Sequence, residues 1–295
     1  MEFFLEVLAG GLLSGVMYSL VAIGFVLIYK SSGVFNFAQG TMLLLAALTF
    51  VSLTERMVSF WVAFAITLMI MIVLGIIIER TVMRPLANKS LLSLFMATVG
   101  LNYFLEGLAQ GVWNSAVHGI DLGISNDPIF LIDKFPDLGL DIIISYFDIA
   151  AAGIAAAMIL CLSLFFQYTR TGLSLRAVSD DHLAAMAVGI PLSRIWAIVL
   201  AVTCVICLIA GLLWGYRVSV SLTLTSAVLK GLPVILIGGL TSIHGAIVGG
   251  LIIGASEKLG EIYIAEWIGG QGIEHWWAYT TALLFLMVRP TGIFG

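Results

Sequence analysis

Two amides, Asn36 and Gln39, stand in the stretch "KSSGVFNFAQG" (30–40) between two long apolar runs. Asn102 and Glu106 lie four apart in a third run, and so share a helix face. Lys230 sits beside a Gly-Leu-Pro break, and His244 follows "GGLTSI". Polar side chains in such surroundings cost free energy and mark a solute or ion path by default. Their chemistry is hydrogen bonding and charge, not covalent catalysis. His118, His182, His244 and His275 are scattered, and neither a His-Glu-x-x-His nor a Gly-x-Ser-x-Gly stretch occurs. Cys161, Cys204 and Cys207 all fall in apolar runs; Cys204 and Cys207 share a helix face but lack the polar neighbours of a metal or redox pair, so they read as small packing residues. No metal site is expected.

Each polar position also has a local reading. Asn36 as N-cap with Gln39 three residues on comes close to a capping box. That is compatible with a path, because a helix starting inside the membrane points its first N–H groups at whatever fills the cavity. Lys230 could snorkel to an interface. Glu106 could mark only the outer end of its span.

The elements that must position these groups are membrane helices. The chain is 61% apolar and 10% charged, with mean hydropathy +1.13, whereas a soluble domain carries about 25% charged residues. Clear spans, each near the length of about 20 residues that a crossing needs, cover 7–29, 60–78, 142–166, 195–216 and 245–263. Less clean ones cover 40–54, 91–112, 226–239 and 276–289, the third broken by Gly231 and Pro233. The expected fold is an all-α polytopic bundle of about 8–9 transmembrane helices in one domain, 1–295, with a broken or half-helix around 226–239. Glu2 and Glu6 precede the first run, without the basic start and small-residue site of a cleaved signal.

Basic residues orient the loops. Arg80, Arg84 and Lys89 put 79–90 on the cytoplasmic side, as Arg170, Arg176 and Arg194 do for 167–194. The acidic loop 113–141, with Asp121, Asp127, Asp133, Asp137 and Asp141 against Lys134, faces the other side, and Arg289 puts the C-terminus inside. Glycines recur at four-residue spacing: Gly11 and Gly15, Gly107 and Gly111, Gly245 and Gly249, and a parallel stripe of Ala246, Gly250 and Gly254. Such faces let backbones approach closely. The densest, over 245–254, suits packing within the chain or against a second membrane subunit.

No segment is long enough for a nucleotide-binding domain and no Gly-x-x-x-x-Gly-Lys-Ser/Thr loop occurs, so uphill work would draw on an ion gradient or another subunit. The segment "RTGLSLRAVSDDHLAAMAVGIPLSR" (170–194) is too polar to cross. Ser179 is placed to cap a short helix through Asp180, Asp181, Ala184 and Ala185, with acidic residues in its first turn, ending at Gly189 before Pro191. A helix this short, with small and polar residues, suits the groove of a soluble partner, or is simply a surface helix.

That segment resembles the cytoplasmic coupling loop of bacterial ABC-importer permeases, and the chain is most similar to the branched-chain amino acid permeases of the LivH type. Four further stretches resemble the same family in the same order: "VFNFAQGTMLLLAA" (34–47), "ERTVMRPL" (79–86), "LKGLPVILIGGLTSIHGAIVGGLIIG" (229–254) and the tail "RPTGIFG" (289–295). The resemblance implies a multi-pass permease of the bacterial inner membrane that pairs with a second homologous permease, docks two cytoplasmic ATPases, and receives solute from a periplasmic binding protein. ATP and Mg would sit on those partners, with no cofactor on this chain and no nucleic acid involved. By position, Arg176, Asp180, Asp181, Ala184 and Gly189 fall on the ATPase-coupling loop, Asn36 and Gln39 in the first-loop motif and Lys230 in the Gly-rich segment; these last three, with Asn102 chosen for its polarity at membrane depth alone, are the candidate lining of a translocation pathway. Gly245, Gly249, Gly250 and Gly254 pack helices. His244 replaces the family's usual Pro, and "KGLPV" departs from its more regular pattern. The expected function is ATP-driven import of a small polar solute such as an amino acid, amide or urea. The competing reading is an ion-coupled secondary transporter using Glu106. An intramembrane enzyme lacks its nucleophile–base pair, and a passive channel leaves the coupling-type loop unexplained.

Overall fold

The computed structural model describes residues 2–86, 89–114, 116–125, 127–130, 143–265 and 272–294. Asp133, Lys134, Asp137 and Asp141 of the acidic loop lie outside them. Long apolar stretches become helices because the peptide groups have no other hydrogen-bonding partner in hydrocarbon. Five helices are long and apolar enough to cross a membrane: Phe3–Ser32, Phe60–Leu86, Leu91–Trp113, Tyr146–Tyr168 and Leu192–Val218. A sixth candidate is the pair Leu224–Gly238 and Ile243–Ile264, bent by 115°, and two shorter apolar helices are Gln39–Glu55 and Trp276–Val288. The all-α polytopic class read from the sequence holds, while eight or nine crossings are not reached by long straight helices alone among the described residues.

The chain divides into two compact units, one of Met1–Ile23, Asp121–Ile159 and Lys230–Gly295, the other of Gly24–Ile120 and Leu160–Leu229. In the second unit, helix α2 (Gln39–Glu55) packs against α3 (Phe60–Ile78), α5 (Leu91–Trp113) and α9 (Leu192–Val218), and against the short α10 (Leu224–Leu229). It is buried on nearly every face from Gln39 to Val51, which is why an apolar run of only 17 residues forms a stable helix here. Gly211 of α9 meets the backbone of α2: a Cβ there would lie 2.8 Å from the Leu43 carbonyl oxygen. Helix α1 (Glu2–Ser32) ends in this unit at Gly33, whose φ is +73°. Trp196 Nε1 donates to the Ser31 carbonyl at 2.7 Å and satisfies one of the last carbonyls.

Residues 79–86, expected in a loop, are helical. Helix α3 runs on through a π-helical turn, Glu79–Met83, into α4 (Arg84–Leu86). Thr81 Oγ1 bonds back to the Ile77 carbonyl at 2.8 Å. The charges extend the helix instead of ending it because they divide between its faces: Arg80 and Arg84 are exposed while Glu79 is buried. Ser90 then caps α5, accepting from Ser93 N at 3.2 Å.

In the first unit a small antiparallel ribbon, β1 (Pro128–Phe130) with β2 (Ile143–Ser145), leads into α6 (Tyr146–Tyr168). The core of this unit is α11 (Gly231–Gly238), α12 (Ile243–Leu259) with its π-helical end Gly260–Ile264, and α13 (Ile273–Val288). The expected break in 226–239 falls at Lys230, between α10 and α11. The tail then finishes the half-helix: Ile293 N donates to the Ile237 carbonyl at 2.8 Å and Phe294 N to the Gly238 carbonyl at 3.1 Å. The "RPTGIFG" ending therefore satisfies carbonyls that α11, only eight residues long, leaves open.

Candidate functional site

Lys230 pairs with Glu257. Nζ donates to Oε1 at 2.7 Å, and Tyr18 Oη donates to the same oxygen at 3.2 Å. All three side chains lie within the first unit. Lys230 also stands 5.9 Å from the centre of the Tyr18 ring, within reach of the ring's negative face. Lys230 and Glu257 are 9% and 7% exposed, so the pair is shut off from bulk water. Glu257 Oε2 is enclosed without a hydrogen-bond partner among the described residues. Taking two charges out of water costs several kcal/mol per ion, and this pair returns that cost through one ionic hydrogen bond supported by one hydroxyl.

Helix register brings these groups together. Gly250, Gly254 and Glu257 follow the i, i+4, i+7 rule, as do Gly11, Gly15 and Tyr18. The two glycine faces lie against each other with antiparallel pairings: a Cβ at Gly11 would lie 2.8 Å from the Gly254 carbonyl oxygen, and one at Gly15 2.6 Å from that of Gly250. The second pair on α12, Gly245 and Gly249, faces α11 instead, against the backbone of Gly238 and Val234. Glu257 thus continues a stripe that must point inward. Its neighbours Lys258 and Glu261 turn partly outward and pair with each other at 2.7 Å.

The other expected pathway residues lie in the second unit. Asn36 and Gln39 are together: Gln39 N donates to the Asn36 carbonyl at 3.1 Å. They do not form a capping box. Asn36 Oδ1 accepts from Ala38 N at 3.1 Å as an Asx turn, Ala38 is the helix boundary, and α2 begins at Gln39. The Gln39 side chain packs on Gly24, where a Cβ would lie 2.5 Å from Nε2. Each amide is 1% exposed, so both face protein in this conformation. Asn102 and Glu106 are half-buried on α5, and His244 is exposed in the first turn of α12. Glu79, Tyr18 and Glu257 went unselected in the sequence. Glu79 reads as the edge of a charged loop, and Glu257 as one of three charges at a span end. The signals that single Glu257 out are its register with Gly250 and Gly254 and the need of an intramembrane lysine for a carboxylate. Among the described residues no three His, Cys, Asp or Glu side chains cluster to hold a metal ion.

The segment 170–194 forms two helices, α7 (Arg170–Asp180) and α8 (His182–Ala187). The sequence placed the cap at Ser179, but Ser179 lies inside α7. Asp181 caps α8, its Oδ1 accepting from Ala184 N at 3.1 Å, because its extended backbone at φ −154° and ψ 112° breaks the helix two residues after Ser179. Gly189 closes α8 with φ +89°; Ile190 N reaches back to the Ala185 carbonyl at 3.0 Å, the Schellman pattern. Arg176, Asp180, Asp181, Ala184 and Gly189 are all at least partly exposed, and Val188 beside them is 82% exposed. Replacing Asp181 with Ala should cost α8 about 1 kcal/mol. Amide hydrogen exchange in 184–187 should then quicken about fivefold, and unchanged exchange would contradict the cap.

The sequence profile of the family described as branched-chain amino acid transport system, permease component, matches residues 7–288. The chain belongs to this family. Among this permease's relatives is the high-affinity branched-chain amino acid transport system permease protein LivH of Salmonella typhimurium. It is 27% identical over 307 residues, covering 99% of this chain and 96% of that one. The corresponding protein BraD of Pseudomonas aeruginosa is 27% identical with the same coverage. A probable branched-chain amino acid transport permease protein LivH of Methanocaldococcus jannaschii is 26% identical over 98% of this chain and 92% of that one. Among solved structures, PsaBC from Streptococcus pneumoniae in complex with Fab superposes with a TM-score of 0.51 at 13% identity, covering 96% of the permease and 92% of that chain. The two share a fold. The permease is a multi-pass membrane protein of the transport class.

Proposed function

We propose that this permease is the membrane-spanning subunit of an ATP-driven importer for a small polar solute of the amino-acid or amide type. The observation that carries the reading is the family match over residues 7–288. The exposed segment Arg170–Gly189 supplies the docking element such a subunit needs. In this reading a second homologous permease completes the pathway, two cytoplasmic ATPases bind ATP and Mg, and a periplasmic solute-binding protein delivers the solute. The subunit itself carries no catalysis. It sits in the inner membrane with 79–90, 167–194 and the C-terminus on the cytoplasmic side, as their arginines and lysines favour. ATP binding pushes on Arg176, Asp180, Asp181, Ala184 and Gly189 and rocks the paired permeases. Solute moves along faces carrying Asn36, Gln39, Asn102 and Lys230.

The test is co-purification through a C-terminal tag from native membranes in mild detergents. An ATPase and a second permease are expected to come with the chain. Recovery of this chain alone across several detergents would overturn the importer reading and turn attention to Glu106 and ion coupling. Within the assembled complex, Ala184→Trp places a bulky ring on the exposed face of α8. The spans should fold and ATP hydrolysis persist, while uptake falls at least tenfold. Unchanged uptake would count against the docking role.

A further inference from the structure

Building on the importer reading, we infer that helix α9 carries movement of the docking segment to the turn that holds Asn36, and that Trp196 and Cys207 are the positioning residues through which it does so. The turn 31–39 joins α1 to α2, and the same helix ties it at both ends. At its start, Trp196 Nε1 donates to the Ser31 carbonyl at 2.7 Å. At its end, Cys207 Sγ donates to the Gln39 carbonyl at 3.7 Å, as a thiol does weakly. All four residues are buried, so bulk water cannot replace either donor, and losing one costs desolvation without return. Trp196 and Cys207 lie about three turns and about 16 Å apart, which returns them to nearly the same face of α9. A shift of α9 as a rod therefore pulls both ends of the turn the same way.

The docking segment has a short route into α9. Gly189 closes α8, and only Ile190 and Pro191 stand before α9 begins at Leu192. The ring of Pro191 fixes its φ, here −76°, and leaves the link little slack. Helix α7 packs directly on α9. Lys30, the residue before Ser31, feels attraction from Asp180 and repulsion from Arg176, both on α7. The far end of α1 is thus held by charge to the docking segment and by hydrogen bond to the helix that follows it. All of these residues lie within the second unit.

A different helix holds the middle of the turn. Thr98 Oγ1 of α5 donates to the Phe35 carbonyl at 3.2 Å, and Gly33, at φ +73°, supplies a hinge that a side chain would restrict. With its ends on α9 and its middle on α5, the turn rotates when α9 slides past α5, and the Asn36 amide next to Phe35 turns with it. Packing alone would need only an aromatic ring at 196 and a small side chain at 207. The linkage needs the N–H and the S–H.

The experiment follows the turn with a thiol reporter in the purified permease–ATPase complex in lipid. Val34→Cys places the reporter in the turn, at a residue 6% exposed, and Cys161→Ser removes the exposed native thiol. The rate of maleimide labelling is measured without nucleotide and with a non-hydrolysable ATP analogue, beside the rate of ATP hydrolysis. Labelling should change at least fivefold on adding the analogue. Trp196→Phe, which keeps a ring and drops the N–H, should cut that change below twofold with hydrolysis within twofold of the parent. Cys207→Ala should do the same, whereas Cys207→Ser, which retains a donor, should keep the response. A full response in Trp196→Phe or Cys207→Ala, equal responses in Cys207→Ala and Cys207→Ser, hydrolysis lost together with the response, or a parent complex that hydrolyses ATP without any response would each overturn the inference while leaving the importer reading intact. If Trp196→Phe fails to assemble, the comparison of alanine with serine at position 207 decides alone. A parent preparation without an ATPase would overturn the importer reading itself, and the inference with it.

Discussion

Lys230→Met should be one of the most damaging single substitutions in this chain, and Glu257→Gln added to it should undo most of the damage. Methionine matches the lysine stem in volume but leaves the Glu257 carboxylate buried with only Tyr18 to bond it, at 3.2 Å. Breaking a buried pair from one side costs about 3–5 kcal/mol, because the remaining charge is uncompensated. Removing both charges is often neutral or stabilising, and the glutamine amide introduced by Glu257→Gln would still accept from the Tyr18 hydroxyl. The expected order of thermal stability in detergent is therefore wild type close to the double variant, with Lys230→Met well below both. Glu257→Gln alone should also fall below wild type, since it strands the ammonium at a side chain only 11% exposed. A melting curve for Lys230→Met that overlays the wild type would show that the pair is not closed in the membrane.

How much of this was legible in the sequence depends on the property that decides each feature. Apolar length decides a membrane helix, so the long spans could be read directly. Gly231 and Pro233 decide a broken helix, and the break at Lys230 falls within the expected range 226–239. Boundaries set by a single side chain were harder. Ser179 and Asp181 are both good caps, and only backbone geometry chooses Asp181. "NFAQ" carries the residues of a capping box, but the Gln39 side chain packs on Gly24 and the Asn36 side chain turns to Ala38 N instead. At 79–86 charge density suggested a loop, whereas a helix divides charges by face and buries Glu79 while exposing Arg80. Glu257 was hidden for the opposite reason. Beside Lys258 and Glu261 it looks like one of several interfacial charges, and only its register with Gly250 and Gly254 sets it apart.

The same register argument predicts which glycine pairs matter. By spacing alone, Gly107 and Gly111 are equivalent to Gly250 and Gly254, and a sequence reader must treat both as candidate close-packing faces. Their surroundings differ. A Cβ on Gly107 or Gly111 would meet nothing within 4 Å, so that face of α5 is open among the described residues. A Cβ on Gly254 would lie 2.5 Å from both the Cα and the N of Gly15. Those are backbone atoms, which cannot rotate away as a side chain could, so α1 and α12 would have to separate along the antiparallel contact that also seats Tyr18 against Glu257. Overpacking typically costs about 1–3 kcal/mol, occasionally more, and a valine at Gly254 belongs at the upper end because both of its branches add to an overlap already made by the first carbon. Gly107→Val, by contrast, should stay within about 0.5 kcal/mol of wild type. The measurement is the thermal midpoint of each variant in detergent, with yield from membranes as a second reading. Gly254→Val should melt far below Gly107→Val. If the two variants melt together, the helices do not approach as closely as the glycine faces allow, and the packing that closes the ion pair must come from elsewhere in the unit.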